Sequence, residues 1–239
     1  MPAAYRYALY LAPTGPWGEL GRRWLGRCPD RGLALPSPAP AGWVRAPRHY
    51  GLHATLKAPF RLAAQASPEA LDETARRLAR RHRPFELPLA LTRLRGFLAW
   101  CVPPREQAAL RSINTLAERA LREADGLRAP LNEAELARRL AAPLSGAQKA
   151  MLARWGYPYA LDTFTFHITL TGSLDAHDLD QAQAELARQS QAWSSQAMPV
   201  DALSVYVQPE PGADFLVARH YGFDGACADG VGAAWLSST

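Results

Sequence analysis

Cysteine is scarce in this chain of 239 residues: Cys28, Cys101 and Cys227 are widely spaced and include no Cys-x-x-Cys pair. This pattern argues against a disulfide framework and against a cysteine-rich zinc site, so the thiols are expected to be inert. Lysine is scarcer still. Because Lys57 and Lys149 are the only two, the formal net charge of +5 comes almost entirely from arginine. This charge suits an anionic ligand but does not require one.

Long apolar runs are also missing. No run approaches the ~18 residues of a membrane span, and the first residues lack a cationic start followed by an uninterrupted apolar region. We therefore expect a cytoplasmic protein without a membrane partner. The chain contains no His-Glu-x-x-His pattern either. With no cysteine cluster, this leads us to expect neither a metal nor a cofactor.

Two short segments share the pattern His-x-Thr-Leu: residues 53–56 within HATLKAPF and residues 167–170 within HITLTG. In a β-strand, residues i and i+2 point to the same side. His53 and His167 are therefore expected to share a face with Thr55 and Thr169 respectively. If two similar halves of the chain pack around a cleft, the motifs would bring together two imidazoles and two hydroxyls.

Hydrophobic periodicity predicts interleaved strands and helices, and hence an α+β or α/β fold. We expect a bilobal, pseudo-two-fold molecule with two mixed sheets facing a central groove and helices outside. The predicted parts are lobe one (about 1–103), a helical linker or insertion (about 104–160) and lobe two (about 161–239). Within the insertion, 126–159 is a candidate lid, with helical patterns around 133–140 and 145–155. The Pro- and Gly-rich segment 29–47 is predicted to be a loop. Ser67 and Pro68 are expected to begin a helix to about residue 81, Gly96 marks a predicted hairpin, and 164–171 is the predicted strand of the second motif.

The paired motifs suit chemistry at a phosphodiester, which needs a base for the incoming oxygen and an acid for the departing one. Histidine can fill either role near neutral pH, so His53 and His167 are the candidate catalytic residues. Thr55 and Thr169 are expected to donate hydrogen bonds to the non-bridging oxygens. The sequence leaves open which histidine is the base.

The two signatures resemble those of the two-histidine (2H) phosphoesterase superfamily. Their wider settings, RHYGLHATLKAPF and WGYPYALDTFTFHITLTG, are similar more narrowly to a bacterial branch encoded in phosphonate-utilisation operons. The resemblance implies a bilobal fold with the histidines facing each other in a groove. It also implies metal-independent hydrolysis of a small, cyclic phosphate ester, such as a cyclic ester of ribose phosphate in phosphonate catabolism.

Other residues are candidates for substrate binding. Lys57 and Thr171 each follow a motif threonine by two residues, so they are expected on the same face, where Lys57 could approach a second phosphate. A solvated strand-end lysine is the alternative. The remaining candidates, for which ordinary packing is the alternative, are Arg48, Tyr50, Tyr157, Tyr159, Gln208 and Arg6, and only one of Arg6 and Tyr7 can face the groove.

Two other functions stay open. An RNA-directed 2H enzyme acting on 2',3'-cyclic ends or 2',5' linkages would need a long basic groove. The arginine-rich run 76–83 is the densest basic stretch, but its helical pattern predicts an outward, solvated face. The second alternative is a non-catalytic protein that binds a phosphorylated metabolite, although binding alone does not require two titrating imidazoles.

Overall fold

The computed structural model describes residues 3–237, where strands and α-helices are interleaved along the chain. The strands are β1 (Arg6–Leu11), β2 (Arg27–Cys28), β3 (Leu33–Ala34), β4 (Ala54–Phe60), β5 (Phe85–Leu87), β6 (Ala90–Leu94), β7 (Phe97–Cys101), β8 (Ile168–Thr169), β9 (Met198–Val200), β10 (Ala202–Gln208), β11 (Leu216–Gly222) and β12 (Cys227–Asp229). The helices are α1 (Gly15–Leu25), α2 (Ala41–Tyr50), α3 (Pro68–Arg80), α4 (Gln107–Glu123), α5 (Glu133–Leu140), α6 (Gly146–Trp155) and α7 (Ala176–Ser190). No helix within this range is long and apolar enough to cross a membrane.

Eight strands form one antiparallel sheet in the order β12-β11-β10-β1-β4-β8-β7-β6. The α+β class is confirmed, but the prediction of two mixed sheets facing a groove is wrong. The strands that follow the two histidines, β4 and β8, pair directly through Ala54 and Ile168. Because these edges satisfy each other's backbone hydrogen-bonding groups, the two motifs lie side by side on a continuous sheet.

Strands from both predicted lobes are mixed within this sheet. The N-terminal strand β1 pairs with β10 on one side and β4 on the other, while β8 pairs with β7. Strands distant in sequence are therefore neighbours on either side of the β4–β8 seam. The lobe boundaries near residues 103 and 161 stay a prediction.

The two faces of the sheet differ in what covers them. Along β1, Tyr7, Leu9 and Leu11 point into the main core, whereas Ala8 and Tyr10 belong to a smaller cluster on the opposite face. The main core also takes in the apolar stripes of α1, α3, α4 and α7. The opposite face is bordered by α2 and α5 and is left open between them.

The ends of α3 follow local sequence signals. The Ser67 side chain accepts a hydrogen bond from the Ala70 N–H, and Pro68 occupies the first turn, where its missing N–H has no consequence. Leu71, with the rest of its stripe, is buried against the sheet. Arginines of the 76–83 run lie on the other side, where Arg76 pairs with Asp72.

Helix α2 and the short strand β3 occupy parts of the segment that we predicted to be a loop, so this prediction is wrong for residues 33–34 and 41–47. Pro47 lies inside the helix and has no N–H, so the carbonyl of Trp43 loses its helical partner. The N–H of Gly172 donates to that carbonyl instead, at 2.7 Å. A tertiary contact thus stabilises a helix that local propensity disfavours, and it ties α2 to the turn after the second motif.

The insertion contains the two predicted helices, α5 and α6, and its base is anchored beside the end of β4. The Arg61 guanidinium donates to the Pro130 carbonyl at 3.0 Å and to the Glu135 carboxylate at 3.2 Å. The Asp125 carboxylate binds Arg128 and Arg154, each at 3.1 Å. These contacts fix α5 next to the open face of the sheet.

Candidate active site

A cavity of about 560 Å³ lies on the open face of the sheet, above the β4–β8 seam. This volume is within the range of small-molecule sites. The cavity brings together most of the side chains predicted from the sequence. Those that line it are His53, Thr55, His167, Thr169, Thr171, Tyr50, Tyr157 and Arg6.

The register of β4 and β8 places the four motif side chains in one cluster. Ala54 lies opposite Ile168, and both are buried in the core on the far face. Continuing this antiparallel register by one residue in each direction places His53 opposite Thr169 and His167 opposite Thr55. Directly opposite residues share a face, with Cβ atoms ~5 Å apart. Each histidine therefore faces the threonine of the other motif.

Both imidazoles are held in the same way. The Nδ1 atom of His53 lies 2.8 Å from the Gly51 carbonyl oxygen, and the Nδ1 atom of His167 lies 2.8 Å from the Thr165 carbonyl oxygen. A carbonyl only accepts hydrogen bonds, so Nδ1 must carry the proton in each neutral ring. This anchoring leaves Nε2 of each histidine as the atom that can accept or donate a proton in the pocket.

Tyr10 supports His53 and was missed by the sequence analysis. The two rings stack with centroids 3.9 Å apart and planes 21° from parallel. Alternation along β1 from Arg6 predicts that Tyr10 faces the groove, so the signal was present in the sequence. On the other side of the pocket, the Phe97 ring centroid lies 5.9 Å from that of His167.

The electrostatics of the two histidines differ in degree. Burial lowers the pKa of His53 to about 4, and the nearby His167 contributes in the same direction. Burial also lowers the pKa of His167, with a further contribution from Arg95. Both shifts reflect the cost of placing a positive charge in a partly desolvated pocket, so a bound anion would favour protonation.

Lys57 does not face the pocket, and the prediction that it shares a face with Thr55 is wrong. Tyr10 of β1 pairs with Thr55, but the preceding Leu9 pairs with Lys57, so β4 has one extra residue here. This β-bulge reverses the alternation and turns Lys57 to the core side. Its Nζ atom lies 3.3 Å from the Asp125 carboxylate.

Thr171 and Arg48 have structural partners. The hydroxyl oxygen of Thr171 accepts a hydrogen bond from the Leu98 N–H at 2.9 Å, so this threonine lines the pocket but holds the neighbouring strand. Arg48 donates to the Gly26 carbonyl at 3.4 Å and does not line the pocket.

The remaining candidates form the wall of the pocket or lie behind it. Arg6 lines the pocket, whereas Tyr7 points to the core, as alternation requires. Gln208 lies behind Arg6 and accepts a hydrogen bond from its Nε at 2.7 Å. The Tyr50 ring lies 6.0 Å from His53, and Tyr159 lines an adjoining cavity of about 460 Å³ that shares Tyr157 with the main pocket.

The pocket also contains Arg138 and Arg139 from α5, neither of which was singled out from the sequence. They form an ordinary basic pair on a short helix, and only the docking of α5 brings them to the pocket.

The donor set at the centre of the pocket is two imidazoles and two hydroxyls, which suits a phosphate oxygen. Within residues 3–237, no group of three His, Cys, Asp or Glu side chains could hold a metal ion. The expectation that no metal or cofactor takes part stays a prediction.

The chain matches the family described as "Protein of unknown function (DUF1045)" over residues 55–216. The match begins two residues after His53 and includes the second motif.

Two curated proteins, both named "Ribose 1,5-bisphosphate phosphokinase PhnN", are similar in sequence. The protein of Laribacter hongkongensis (strain HLHK9) is 39% identical over 223 residues, which cover 90% of this chain and 51% of the relative. That of Janthinobacterium sp. (strain Marseille) is 38% identical over 241 residues, which cover 92% and 51%. The chain thus spans about half the length of the curated relatives it matches. A solved structure, that of Kluyveromyces marxianus Usb1, is 12% identical with a TM-score of 0.36, covering 90% of this chain and 98% of that one.

Proposed function

The chain belongs to the family described as "Protein of unknown function (DUF1045)", and from its pocket we propose that it is a metal-independent phosphodiesterase of the 2H type. Its substrate in this proposal is a small cyclic phosphate ester. The observation that carries the proposal is the register of β4 and β8, which sets each motif histidine opposite the threonine of the other motif. This arrangement surrounds one tetrahedral group with two acid-base groups and two hydroxyl donors.

In the proposed reaction, His53 is the base and His167 the acid. Because burial lowers the pKa of His53 to about 4, its Nε2 is unprotonated at neutral pH and can take a proton from water. The water oxygen forms a bond to phosphorus while the ester bond to the ring oxygen breaks. His167 acts from its protonated form, in which both ring nitrogens carry hydrogen and which a bound phosphate favours. Its Nε2–H gives a proton to the departing oxygen, which leaves a phosphate monoester.

The two threonines would bind the non-bridging oxygens as negative charge accumulates on them. Their position on paired strands keeps them in place without a further ordering cost. A strained cyclic ester has a lower barrier than an open dialkyl ester, so it suits a site that relies on two histidines.

The relatives support a ribose phosphate as the substrate class, since their printed name refers to ribose 1,5-bisphosphate. The P-loop that binds nucleotide phosphates in many kinases contains a Gly-Lys pair. This chain has no such pair, because Lys57 follows Leu56 and Lys149 follows Gln148. We propose that the phosphokinase activity in the relatives' name belongs to the half of the relatives outside the similarity. Phosphonate catabolism, which the sequence resemblance implies, is retained as part of the proposal.

The test is hydrolysis of a ribose cyclic phosphate, a 2',3'-cyclic mononucleotide and a short 2',5'-linked oligonucleotide. We expect turnover of the ribose ester, a loss of ~10²-fold or more in His53→Ala and His167→Ala, and no change with a chelator. His177→Ala is the matched control, because His177 lies exposed on α7. Equal unfolding midpoints would show that the losses are not caused by misfolding.

Wild-type rates in either active-site variant would contradict the two-histidine mechanism. Preference for the nucleotide or the oligonucleotide would instead indicate an RNA-directed enzyme. No turnover of any of the three, with binding retained, would favour a non-catalytic phosphometabolite-binding protein. A loss on chelation that added zinc or manganese restores would refute the metal-independent reaction.

A further inference from the structure

Three arginines line the same pocket as the two histidines: Arg6 from β1, and Arg138 and Arg139 from the end of α5. Within residues 3–237, none of the three forms an ion pair with a carboxylate. Elsewhere on the surface arginines are commonly paired, as Arg122 is with Glu118 at 2.8 Å. The guanidinium groups are therefore free of a direct carboxylate partner in the described part of the chain and available to an anion in the pocket.

The orientation of Arg6 is fixed before any ligand binds. Its Nε donates to the Gln208 side chain at 2.7 Å, and Gln208, which is buried, in turn donates to the Ala213 carbonyl at 2.8 Å. The Arg6 guanidinium also lies over the Phe215 ring, 5.6 Å from its centroid. With Nε engaged, the two terminal nitrogens remain to donate to an anion, in the fork geometry that matches phosphate.

Arg139 is held against the wall of the pocket, with its guanidinium 5.5 Å from the Tyr157 ring centroid. Burial lowers the pKa of Arg139; Tyr157 and Glu135 oppose this shift, whereas the positive charges of Arg138 and Arg6 add to it. The carboxylate of Glu135, on the same helix, is engaged by Arg61. Because Arg138 and Arg6 both repel the Arg139 guanidinium, an anion between them would relieve that repulsion.

Arg6 is separated from the histidines along β1. Tyr10, which stacks on His53, and Arg6 are four residues apart on β1, ~13 Å along the strand. The long arginine side chain shortens this separation, so an anion bound at Arg6 would lie beside a phosphate at the histidines and not on it.

We infer that Arg6, Arg138 and Arg139 form a second phosphate subsite, so that the substrate is a sugar carrying a cyclic phosphodiester and a separate terminal phosphate. This inference rests on the proposed function, because the cyclic ester is the group placed at the histidines. It gives the insertion a role in selecting the substrate, since α5 supplies two of the three arginines.

The test compares a ribose cyclic phosphate with the same ester carrying an additional phosphate on O5. In the wild-type protein, we expect kcat/KM to be higher for the doubly phosphorylated ester by roughly tenfold to a hundredfold. Arg139→Ala should reduce this ratio at least tenfold, and Arg138→Ala should reduce it less because Arg138 is exposed. Arg111→Ala is the control for net charge, since Arg111 lies exposed on α4 outside the pocket.

Calorimetric binding of a sugar bisphosphate and the matching monophosphate gives a readout that does not depend on turnover. We expect the wild-type protein to prefer the bisphosphate and Arg139→Ala to lose that preference. Equal kcat/KM for the two esters, or a ratio that Arg139→Ala leaves intact, would overturn the subsite while the hydrolase proposal survives. Absence of turnover with an Arg139-dependent preference for the bisphosphate would overturn the hydrolase and support the subsite.

Discussion

Lys57 and Asp125 form a buried ion pair. Replacing one or the other should change the stability of the protein in opposite directions. Lys57 is 2% exposed, and burial lowers its pKa to about 8 from 10.5. At 1.36 kcal/mol per pKa unit, folding disfavours the charged form of Lys57 over the neutral form by about 3 kcal/mol, even beside Asp125. In Lys57→Met the apolar stem is kept and this penalty is removed, and Asp125 keeps Arg128 and Arg154 as partners, but the Leu121 carbonyl loses a donor. We expect a net change at pH 7 between none and about 2 kcal/mol of stabilisation.

Asp125→Ala should act in the other direction. It leaves Lys57 buried without the carboxylate that raises its pKa, and it also removes the partner of Arg128 and Arg154. Breaking a buried pair from one side costs about 3–5 kcal/mol. Urea unfolding would measure both variants against Lys149→Met, which replaces the only other lysine, an exposed one, and should stay within ~0.5 kcal/mol of wild type.

The pH dependence gives the sharper form of this prediction. Below pH 8, Lys57 is protonated in both the folded and the unfolded chain, and the folded state has the full penalty. Between about 8 and 10.5 the unfolded chain binds a proton that the folded protein does not, so wild-type stability rises with pH relative to Lys57→Met. A constant difference between the two proteins from pH 7 to 10.5, or a destabilisation of Lys57→Met above 2 kcal/mol at pH 7, would refute the reasoning.

Three further predictions concern the pocket. Because the pKa values of His53 and His167 are both lowered, the bell-shaped pH profile of kcat/KM should have its maximum below pH 6.5; a profile flat from pH 5 to 9 would contradict the assigned roles. Tyr10→Ala should lower kcat several-fold by removing the ring stacked on His53, whereas Tyr10→Phe should retain wild-type kcat; equal rates in the two variants would exclude a positioning role. Thr171→Val should destabilise the protein by about 1–3 kcal/mol in urea unfolding, since the buried Leu98 N–H loses its acceptor; unchanged stability would show that the bond is dispensable.

The sequence predicted local features well where neighbouring residues decide them. The Ser67 cap of α3, the helices α5 and α6 and the turn at Gly96 depend on signals a few residues long. The turn at Arg95 and Gly96 requires positive φ at both residues, and the structure shows 50° and 87°. The second motif was harder to delimit, because its predicted strand of 164–171 shortens to the two residues of β8.

Long-range pairing decided the features that the sequence analysis missed. Pro47 sits inside α2 because Gly172, far along the chain, supplies the donor that the helix lacks. Arg139 lines the pocket because α5 docks beside β4. The hydrophobic periodicity of α5 does not specify where this helix docks.

Two short segments of the sequence by themselves determined the chemistry of the proposed site, since alternation along a strand puts each histidine beside its threonine. Only the tertiary structure decided how the two pairs meet. The antiparallel register of β4 and β8 places each histidine opposite the threonine of the other motif. The bulge in β4, where it pairs with β1, turns Lys57 into the core although Thr55 faces the pocket. Both depend on how one strand is aligned with another, and a backbone alignment between distant segments is set by packing of the whole sheet.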